Sequence, residues 1–222
     1  MFGYNKPVRT LKFDNKKIGL TPKELNVLKP LGTPQKIQDF VTAIPQNFEP
    51  DGDTCMSVRE VLTKRRAHCI EGALVAALAF WVHGKPPLLM DVKASDEDDD
   101  HVVALFRENG CWGAISKGNH AYTRYRDPVY RTLRELAMSY FHEYYNPAGK
   151  KTLRSYSRPL DLSCYGPDVW MTGEGAWEIA RDIDAIKHFA LISKVQERSL
   201  RPIEEIERRV SKVVVHRSPR VR

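Results

Sequence analysis

The position of Cys69 suggests chemistry more directly than that of any other residue. Cys69 follows Ala67-His68 and begins a stretch that is apolar nearly all round as far as Val82, which predicts a buried helix. The free N–H groups and the dipole at the start of a helix favour a thiolate over a thiol. The same N–H groups can form one half of an oxyanion hole. The sequence therefore predicts that Cys69 is a nucleophile.

A nucleophilic thiol needs a base, and His101 is the first candidate. It begins the segment HVVALFR, which is predicted to form a strand in the sheet that the Cys69 helix packs against. The order of a cysteine on a helix, a histidine on one strand and a polar group on the next strand follows the logic of a catalytic triad.

The hairpin after His101 offers candidates for the third group, which orients the imidazole. Asn109-Gly110 is a strong hairpin turn signal. If these two residues form the whole turn, Ser116 shares a face with His101 and lies one diagonal step away. A slip of one residue would place Asn119 on that face instead. We favour Ser116, and Asp91 on the preceding strand is a third candidate.

The elements that must position these residues follow from capping and periodicity. Capping residues and prolines predict three helices before Cys69, and the helix that Cys69 begins should end near His83-Gly84. This order of helices, antiparallel strands and helices again indicates an α+β domain. The predicted helices and strands around the Cys69 helix are Thr21 to Lys29, Thr33 to Ile44, a helix from Ser57, strands Leu88–Val92, His101–Arg107 and Cys111–Ser116, and helices Val129–Tyr145, Gly175–Ile192 and Pro202–Val215.

Three segments resemble the transglutaminase-like superfamily, a branch of the papain-like cysteine fold. RAHCIEGA at 66–73 is similar to the family's cysteine and small-residue helix, DHVV at 100–103 to its histidine strand, and GCW at 110–112 to the residues before its catalytic aspartate. The resemblance covers 33–120. It implies a Cys-bearing helix on an antiparallel sheet and an amide or acyl hydrolase, with peptidase-like activity as the default, or an acyl transferase. The substrate would be a protein, a peptide or a small amide.

The sequence departs from this family where the aspartate should stand, because Trp112 is followed by GAIS. An uncharged Ser116 or Asn119 can fix the imidazole tautomer but stabilises an imidazolium less than a carboxylate does. The acidic loop Asp96–Asp100 beside His101 could supply part of the missing field. The alternative is a catalytically inactive binding or scaffold protein that keeps the same fold.

Two further side chains are candidates for the substrate cleft. Trp112 could line the cleft or fill the face of the sheet, and the family resemblance favours the cleft. His68 is adjacent to Cys69, and sequence neighbours on a helix do not face each other. We therefore expect His68 to have a structural role or to border the cleft, rather than to act on the thiol.

The net charge of +7 would suit a polyanionic partner. Its distribution weakens that hypothesis, because residues 1–20 carry +4, residues 194–222 carry +5 and the rest of the chain sums to −2. Binding of nucleic acid or an anionic surface through the basic termini is the second alternative function. The sequence does not favour nucleic acid as the partner.

The composition also limits cofactors and location. The four cysteines have no CxxC pair, and a zinc site of Cys69, His101 and Cys111 lacks ligands at short spacing. The acidic loop lacks the pattern of an EF-hand. The longest apolar run, Gly72–Val82, is shorter than the about twenty residues of a membrane span, and the N-terminus lacks a signal-peptide core. We expect a cytoplasmic protein with no cofactor, metal or membrane span.

A chain of 222 residues suits one domain with extensions. The predicted organisation has four parts. These are a basic N-terminal segment with a short helix at 1–32, the transglutaminase-like core at 33–120, a helical extension packed on the core at 121–215, and a disordered basic tail at 216–222.

Overall fold

A computed structural model describes residues 11–50 and 52–218. These residues form ten α-helices, seven strands and two short 3-10 helices at 141–143 and 162–164, so the predicted α+β class is confirmed. No helix in the described part of the chain is long and apolar enough to cross a membrane. The helices are α1 Asn15–Ile18, α2 Pro22–Leu28, α3 Pro34–Ala43, α4 Val58–Lys64, α5 Cys69–Val82, α6 Leu133–Met138, α7 Pro167–Trp170, α8 Trp177–Ala185, α9 Lys194–Arg198 and α10 Glu205–Val210. The strands are β1 Leu88–Ala94, β2 His101–Glu108, β3 Cys111–Ile115, β4 Arg126–Tyr130, β5 Leu153–Ser157, β6 Leu160–Asp161 and β7 His188–Ala190.

The seven strands form one antiparallel sheet in the order β4-β3-β2-β1-β5-β7, and β6 also pairs with β1. Helix α5 packs on one face of the sheet within a core that also contains residues of α2, α3, α4, α7 and α8. Residues of α6 and the tyrosines that follow it pack on the other face. Because α5 is covered on nearly every side, its first residue has a fixed place at the edge of the core.

The β2–β3 hairpin adopts the register of a two-residue turn. Asn109 and Gly110 both have positive φ angles, 50° and 80°, as the common hairpin turn requires. Glu108 pairs with Cys111, and Ala104 pairs with Ile115. The predicted register is therefore confirmed, and it is the register that places Ser116 on the face of His101.

The helix predicted over Val129–Tyr145 is wrong at both ends, since α6 covers only Leu133–Met138 and a 3-10 helix follows at Phe141–Glu143. Strand β4 pairs with β3 up to Tyr130, and α6 begins only after Thr132, whose side chain forms a capping box with Glu135. Val129 and Tyr130 favour strands as well as helices. These two residues form a strand because they can pair with the free edge of β3.

Two other predicted helices are shorter in the structure. The segment Gly175–Ile192 divides into α8 and β7, and β7 pairs with β5. The last helix covers Glu205–Val210 rather than Pro202–Val215. Residues 121–215 are thus not a purely helical extension, because they contribute four strands to the same sheet as the predicted core.

Gly72 allows α5 to lie close to the residues that follow β3. A Cβ atom at Gly72 would stand 2.6 Å from Lys117 Cβ and 3.3 Å from Val41 Cγ1. We expect Gly72→Ala to lower the free energy of unfolding by about 1–3 kcal/mol, because overpacking outweighs the better helix propensity of alanine. Urea unfolding would measure this change. Gly32→Ala is the control, since its Cβ would meet no atom closer than 3.6 Å; equal stability of the two variants would contradict the close approach.

Candidate active site

Cys69 is the first residue of α5 and lies in the wall of an open cleft of about 860 Å³. Its side chain is only partly exposed. A helix leaves the N–H groups of its first turn without intrahelical partners, and the Cys69 N–H is one of these groups. The thiol therefore has space for a ligand and a hydrogen-bond donor beside it.

Two imidazoles lower the pKa of the Cys69 thiol. Burial raises this pKa, but hydrogen bonding to His101 and His68, together with their charges, outweighs burial and lowers the pKa to about 5. The geometric contact with His68 is direct, since Cys69 Sγ lies 4.0 Å from His68 Nδ1. A lowered pKa favours the thiolate, which is the nucleophilic form of cysteine.

The hydrogen bonds of Ser116 define the tautomer of His101. Ser116 Oγ lies 2.8 Å from His101 Nε2 and donates its hydroxyl proton to the Thr123 carbonyl. A carbonyl oxygen only accepts, so the hydroxyl proton is committed and Ser116 Oγ must accept from His101 Nε2–H. In the neutral ring this leaves Nδ1 unprotonated, and Nδ1 is the nitrogen available to the Cys69 thiol.

The Thr123 carbonyl is held in place by a strained turn. Thr123 has a φ angle of 55°, which is uncommon for a β-branched residue. Its N–H donates to Glu143 Oε2 at 3.1 Å, and Glu143 forms an ion pair with Arg126 at 2.5 Å. The segment after the hairpin thus supplies the last link of the chain from His101 through Ser116.

Gln38 fixes Ser116 from the other side. Its side-chain amide accepts from the Ser116 N–H at 3.0 Å and donates to the Ser116 carbonyl at 2.9 Å. The Gln38 amide thus bonds to the Ser116 backbone as a neighbouring strand would, at the residue that follows β3. Gln38 lies on α3, so two other segments hold Ser116: α3 binds its backbone and the turn at Thr123 binds its hydroxyl.

His68 was expected to face away from Cys69, and this expectation is wrong, because its ring contacts the sulfur. His68 is the residue before the helix and has an extended backbone, with φ −101° and ψ −166°, so the rule for neighbours within a helix does not apply to it. Its Nδ1 faces Cys69, and its Nε2 lies 2.9 Å from the Thr54 carbonyl. His68 also lines the cleft.

Glu71 is a fully buried carboxylate that the sequence did not identify as a site residue. It accepts hydrogen bonds from the Met56 N–H at 2.9 Å, the His68 N–H at 2.9 Å and the Thr54 hydroxyl at 2.8 Å. Burial raises the pKa of Glu71, but hydrogen bonds and charge, first those of His68, lower it to about 2. The usual capping-box signature begins with Ser or Thr. Here the residue before the helix is His68, so the capping pattern in the sequence did not point to Glu71.

The structure places the other predicted candidates elsewhere. Asn119 lines the cleft but bonds to the His216 backbone through both ends of its amide, at 2.8 and 3.0 Å; the one-residue slip that would pair it with His101 does not occur. Asp91 bonds to His188 at 3.0 Å. Trp112 is not among the cleft residues. Its side chain packs on the sheet face opposite α5. Side chains alternate along β3, and Ile115 is the one that faces α5.

The acidic loop reaches the cleft through Asp98, Asp99 and Asp100. Asp100 pairs with Lys93 at 3.2 Å, and Asp98 accepts from the Thr152 hydroxyl at 2.5 Å. Part of this negative charge is therefore neutralised locally. Across residues 11–50 and 52–218, no group of three or more His, Cys, Asp or Glu side chains is arranged to hold a metal ion.

No protein-family model matches the chain, and no curated protein is significantly similar to it. The resemblance to the transglutaminase-like superfamily therefore depends on the three sequence segments described above.

Glu71→Gln should destabilise the protein by about 3 kcal/mol at pH 7, the free energy that corresponds to a pKa shift from 4.5 to about 2. The folded pKa is lower than the unfolded one, so this stability is present above pH 4.5 and is lost as the pH falls toward 2. Chemical unfolding of both proteins from pH 7 to pH 3 would show the difference between them narrowing.

Glu60→Gln is the matched control for this experiment. Glu60 occupies the same third position in the capping box of α4 but is only partly buried. We expect a cost of about 1 kcal/mol for its loss. A Glu71 variant no less stable than the Glu60 variant would contradict the role assigned to Glu71.

Proposed function

We propose that this protein is a cysteine-dependent hydrolase or acyl transferase of the transglutaminase-like, papain-like type, acting on an amide or related acyl bond. The observation that carries the proposal is the place of Cys69 at the start of α5 in an open cleft, with His68 Nδ1 4.0 Å from its sulfur and His101 oriented by Ser116. The two imidazoles lower the pKa of the thiol to about 5. An acidic thiol at a helix start, next to an oriented imidazole, is the arrangement that covalent acyl chemistry needs.

The first half of the reaction begins from an ion pair in which His101 Nδ1 holds the proton that Cys69 has given up, and the thiolate attacks the substrate carbonyl carbon. A carbon–sulfur bond forms and the carbonyl electron pair moves to oxygen. The N–H group of Cys69, at the start of α5, can donate to that oxyanion. When the oxyanion collapses, the carbon–nitrogen bond breaks, the amine takes the proton from His101, and a thioester remains.

In the second half, His101 accepts a proton from water or from an incoming amine, which attacks the thioester. The carbon–sulfur bond breaks and the thiolate is regenerated. Water gives hydrolysis and an amine gives acyl transfer. Because water is always present, hydrolysis is the default activity.

The volume of the cleft supports a substrate of peptide or small-molecule size, since binding sites for such ligands typically enclose about 300–1,000 Å³. Its walls combine aromatic side chains with many polar ones. The aromatic members are Phe48, Tyr122, Tyr144 and Tyr145. Flat rings beside polar groups suit an amide with an adjoining side chain or chain segment.

Iodoacetamide labelling tests the activated thiol. At pH 6 we expect Cys69 to react at least tenfold faster than the exposed Cys164. About nine-tenths of a thiol with a pKa near 5 is ionised at that pH, against about 0.3 per cent of a thiol with the ordinary pKa of about 8.5. His101→Ala should slow Cys69 labelling several-fold. Peptide mapping by mass spectrometry measures each cysteine separately.

Cys164 serves as the internal control for reagent and pH. Uniformly slow labelling of all four cysteines at pH 6 would contradict an enzyme and favour a non-catalytic binding protein with this fold. Ser116→Ala should leave the labelling rate closer to that of the wild type than His101→Ala does, since Ser116 orients the ring and carries no charge.

An activated ester tests the covalent step. With p-nitrophenyl acetate we expect a burst of nitrophenol and a mass increase of one acetyl group on Cys69, both absent in Cys69→Ser. Adding hydroxylamine or a primary amine divides the acetyl group between water and amine, so the product ratio distinguishes hydrolysis from transfer. Acetylation spread over lysines, with no burst, would count against the proposal.

A further inference from the structure

His68 makes a second and different contact with the reactive sulfur. Its Nδ1 lies 4.0 Å from Cys69 Sγ, within the range of a hydrogen bond to sulfur. Its other nitrogen, Nε2, lies 2.9 Å from the Thr54 carbonyl oxygen. Because a carbonyl only accepts, Nε2 carries a proton. The charge of the ring then depends on whether Nδ1 carries a proton as well.

Two carboxylates surround the protonated side of this ring. Glu71 Oε1 lies 3.3 Å from His68 Nε2, and Glu49 Oε1 lies 3.6 Å from it. Opposite charges at this distance favour the imidazolium. Burial lowers the pKa of His68, but hydrogen bonds with Cys69 and Glu71 and the charges of both groups raise it to about 11.

We propose that His68 is a fixed imidazolium whose Nδ1–H group holds the Cys69 sulfur as a thiolate, and that Glu71 and Glu49 keep it charged. This inference rests on the proposed function and assigns a role within the same site. His68 supplies the charge and His101 carries the proton. The positive charge thus comes from a residue that need not titrate during the reaction.

This division of roles explains how a triad can work with a neutral third member. In a Cys-His-Asp triad, a carboxylate stabilises the imidazolium that forms on the base. Ser116 cannot do this, because it offers His101 only an uncharged oxygen. In this site a fixed cation stabilises the opposite partner, the thiolate. Either arrangement lowers the free energy of the thiolate–imidazolium pair that begins the reaction.

The other groups that face the sulfur do not compete for this role. Burial raises the pKa of Cys55 to about 12, so Cys55 stays a neutral thiol. Burial also raises the pKa of Tyr144 far above its ordinary value, so this phenol stays neutral. Glu49 and Glu71 face the His68 ring, and His101 faces the sulfur. Other charged side chains of the same cleft include Asp98, Asp99, Asp100 and Lys117.

Replacing His68 by a neutral side chain tests the inference. In His68→Gln we expect the midpoint of Cys69 alkylation by iodoacetamide to rise by about 1–3 pH units, the usual effect of removing an adjacent opposite charge. At pH 6 the alkylation rate should fall at least about tenfold. Above pH 9, where the thiol ionises in both proteins, the rates should agree within about twofold.

His120→Gln is the matched control, since His120 lines the same cleft but bonds to the Ser211 carbonyl rather than to Cys69. It should leave the midpoint unchanged. Glu49→Gln removes one of the two carboxylates from a partly exposed position, and we expect a smaller shift in the same direction. This variant keeps the test valid if His68→Gln fails to fold, as judged by circular dichroism.

The charge of His68 can also be measured directly. Nuclear magnetic resonance of the wild-type protein labelled in its histidine rings should show His68 protonated on both nitrogens at pH 8.5, where an ordinary histidine is neutral. A His68 ring that titrates below pH 7, or a His68→Gln midpoint equal to that of the wild type, would overturn the inference.

The same experiments separate the two proposals. If wild-type Cys69 is alkylated at pH 6 much faster than Cys164 and His68→Gln is equally fast, the inference about His68 fails and the proposed function stands. If wild-type Cys69 is as slow as Cys164, both fail.

Discussion

The site depends first on one buried carboxylate. Glu71 lies in the first turn of α5 with no exposed surface, and it accepts hydrogen bonds from the loop before α4 and from the His68 backbone. A buried charge is stable only when it is paired and fully hydrogen-bonded. Glu71 therefore fixes the loop that carries Thr54, the entry to α5 and the His68 ring together. The position of the thiol is a consequence of this arrangement.

The rest of the site is assembled around that thiol from several parts of the chain. His101 comes from the start of β2, Ser116 from the end of β3, and the Thr123 carbonyl from the strained turn before β4. Gln38 on α3 holds the backbone of Ser116. The Thr123 carbonyl can only accept, so the Ser116 hydroxyl donates to it and accepts from His101 Nε2–H. These two bonds determine the tautomer of His101.

The sequence predicted the parts of this arrangement that depend on local chemistry. Helix α5 follows from an apolar run that begins at Cys69. The Asn109-Gly110 turn and the register that favours Ser116 over Asn119 follow from turn type and alternation, and the structure has each of these features. The last two residues of β4 and the whole of β7 were predicted as helix, because a single segment does not show whether it will pair with the edge of a sheet. The prediction for His68 was wrong because it treated this residue as part of the helix. His68 lies just before α5, and its extended backbone turns the ring toward Cys69.

The C-terminal segment forms one wall of the cleft and is held in a different way from the helix that carries Cys69. Arg208, Ser211 and Lys212 form part of the cleft wall, and the segment after them is attached by backbone bonds, Ala121 N–H to the Val213 carbonyl at 3.2 Å and Val215 N–H to the Asn119 carbonyl at 2.8 Å. The side chains of Val213 and Val215 are exposed, so little apolar surface secures this wall. Local opening costs least where few apolar contacts are buried. Helix α5, by contrast, is covered on nearly every side. The nucleophile thus begins a helix that is buried on nearly every side, whereas this wall of its cleft is held mainly by hydrogen bonds.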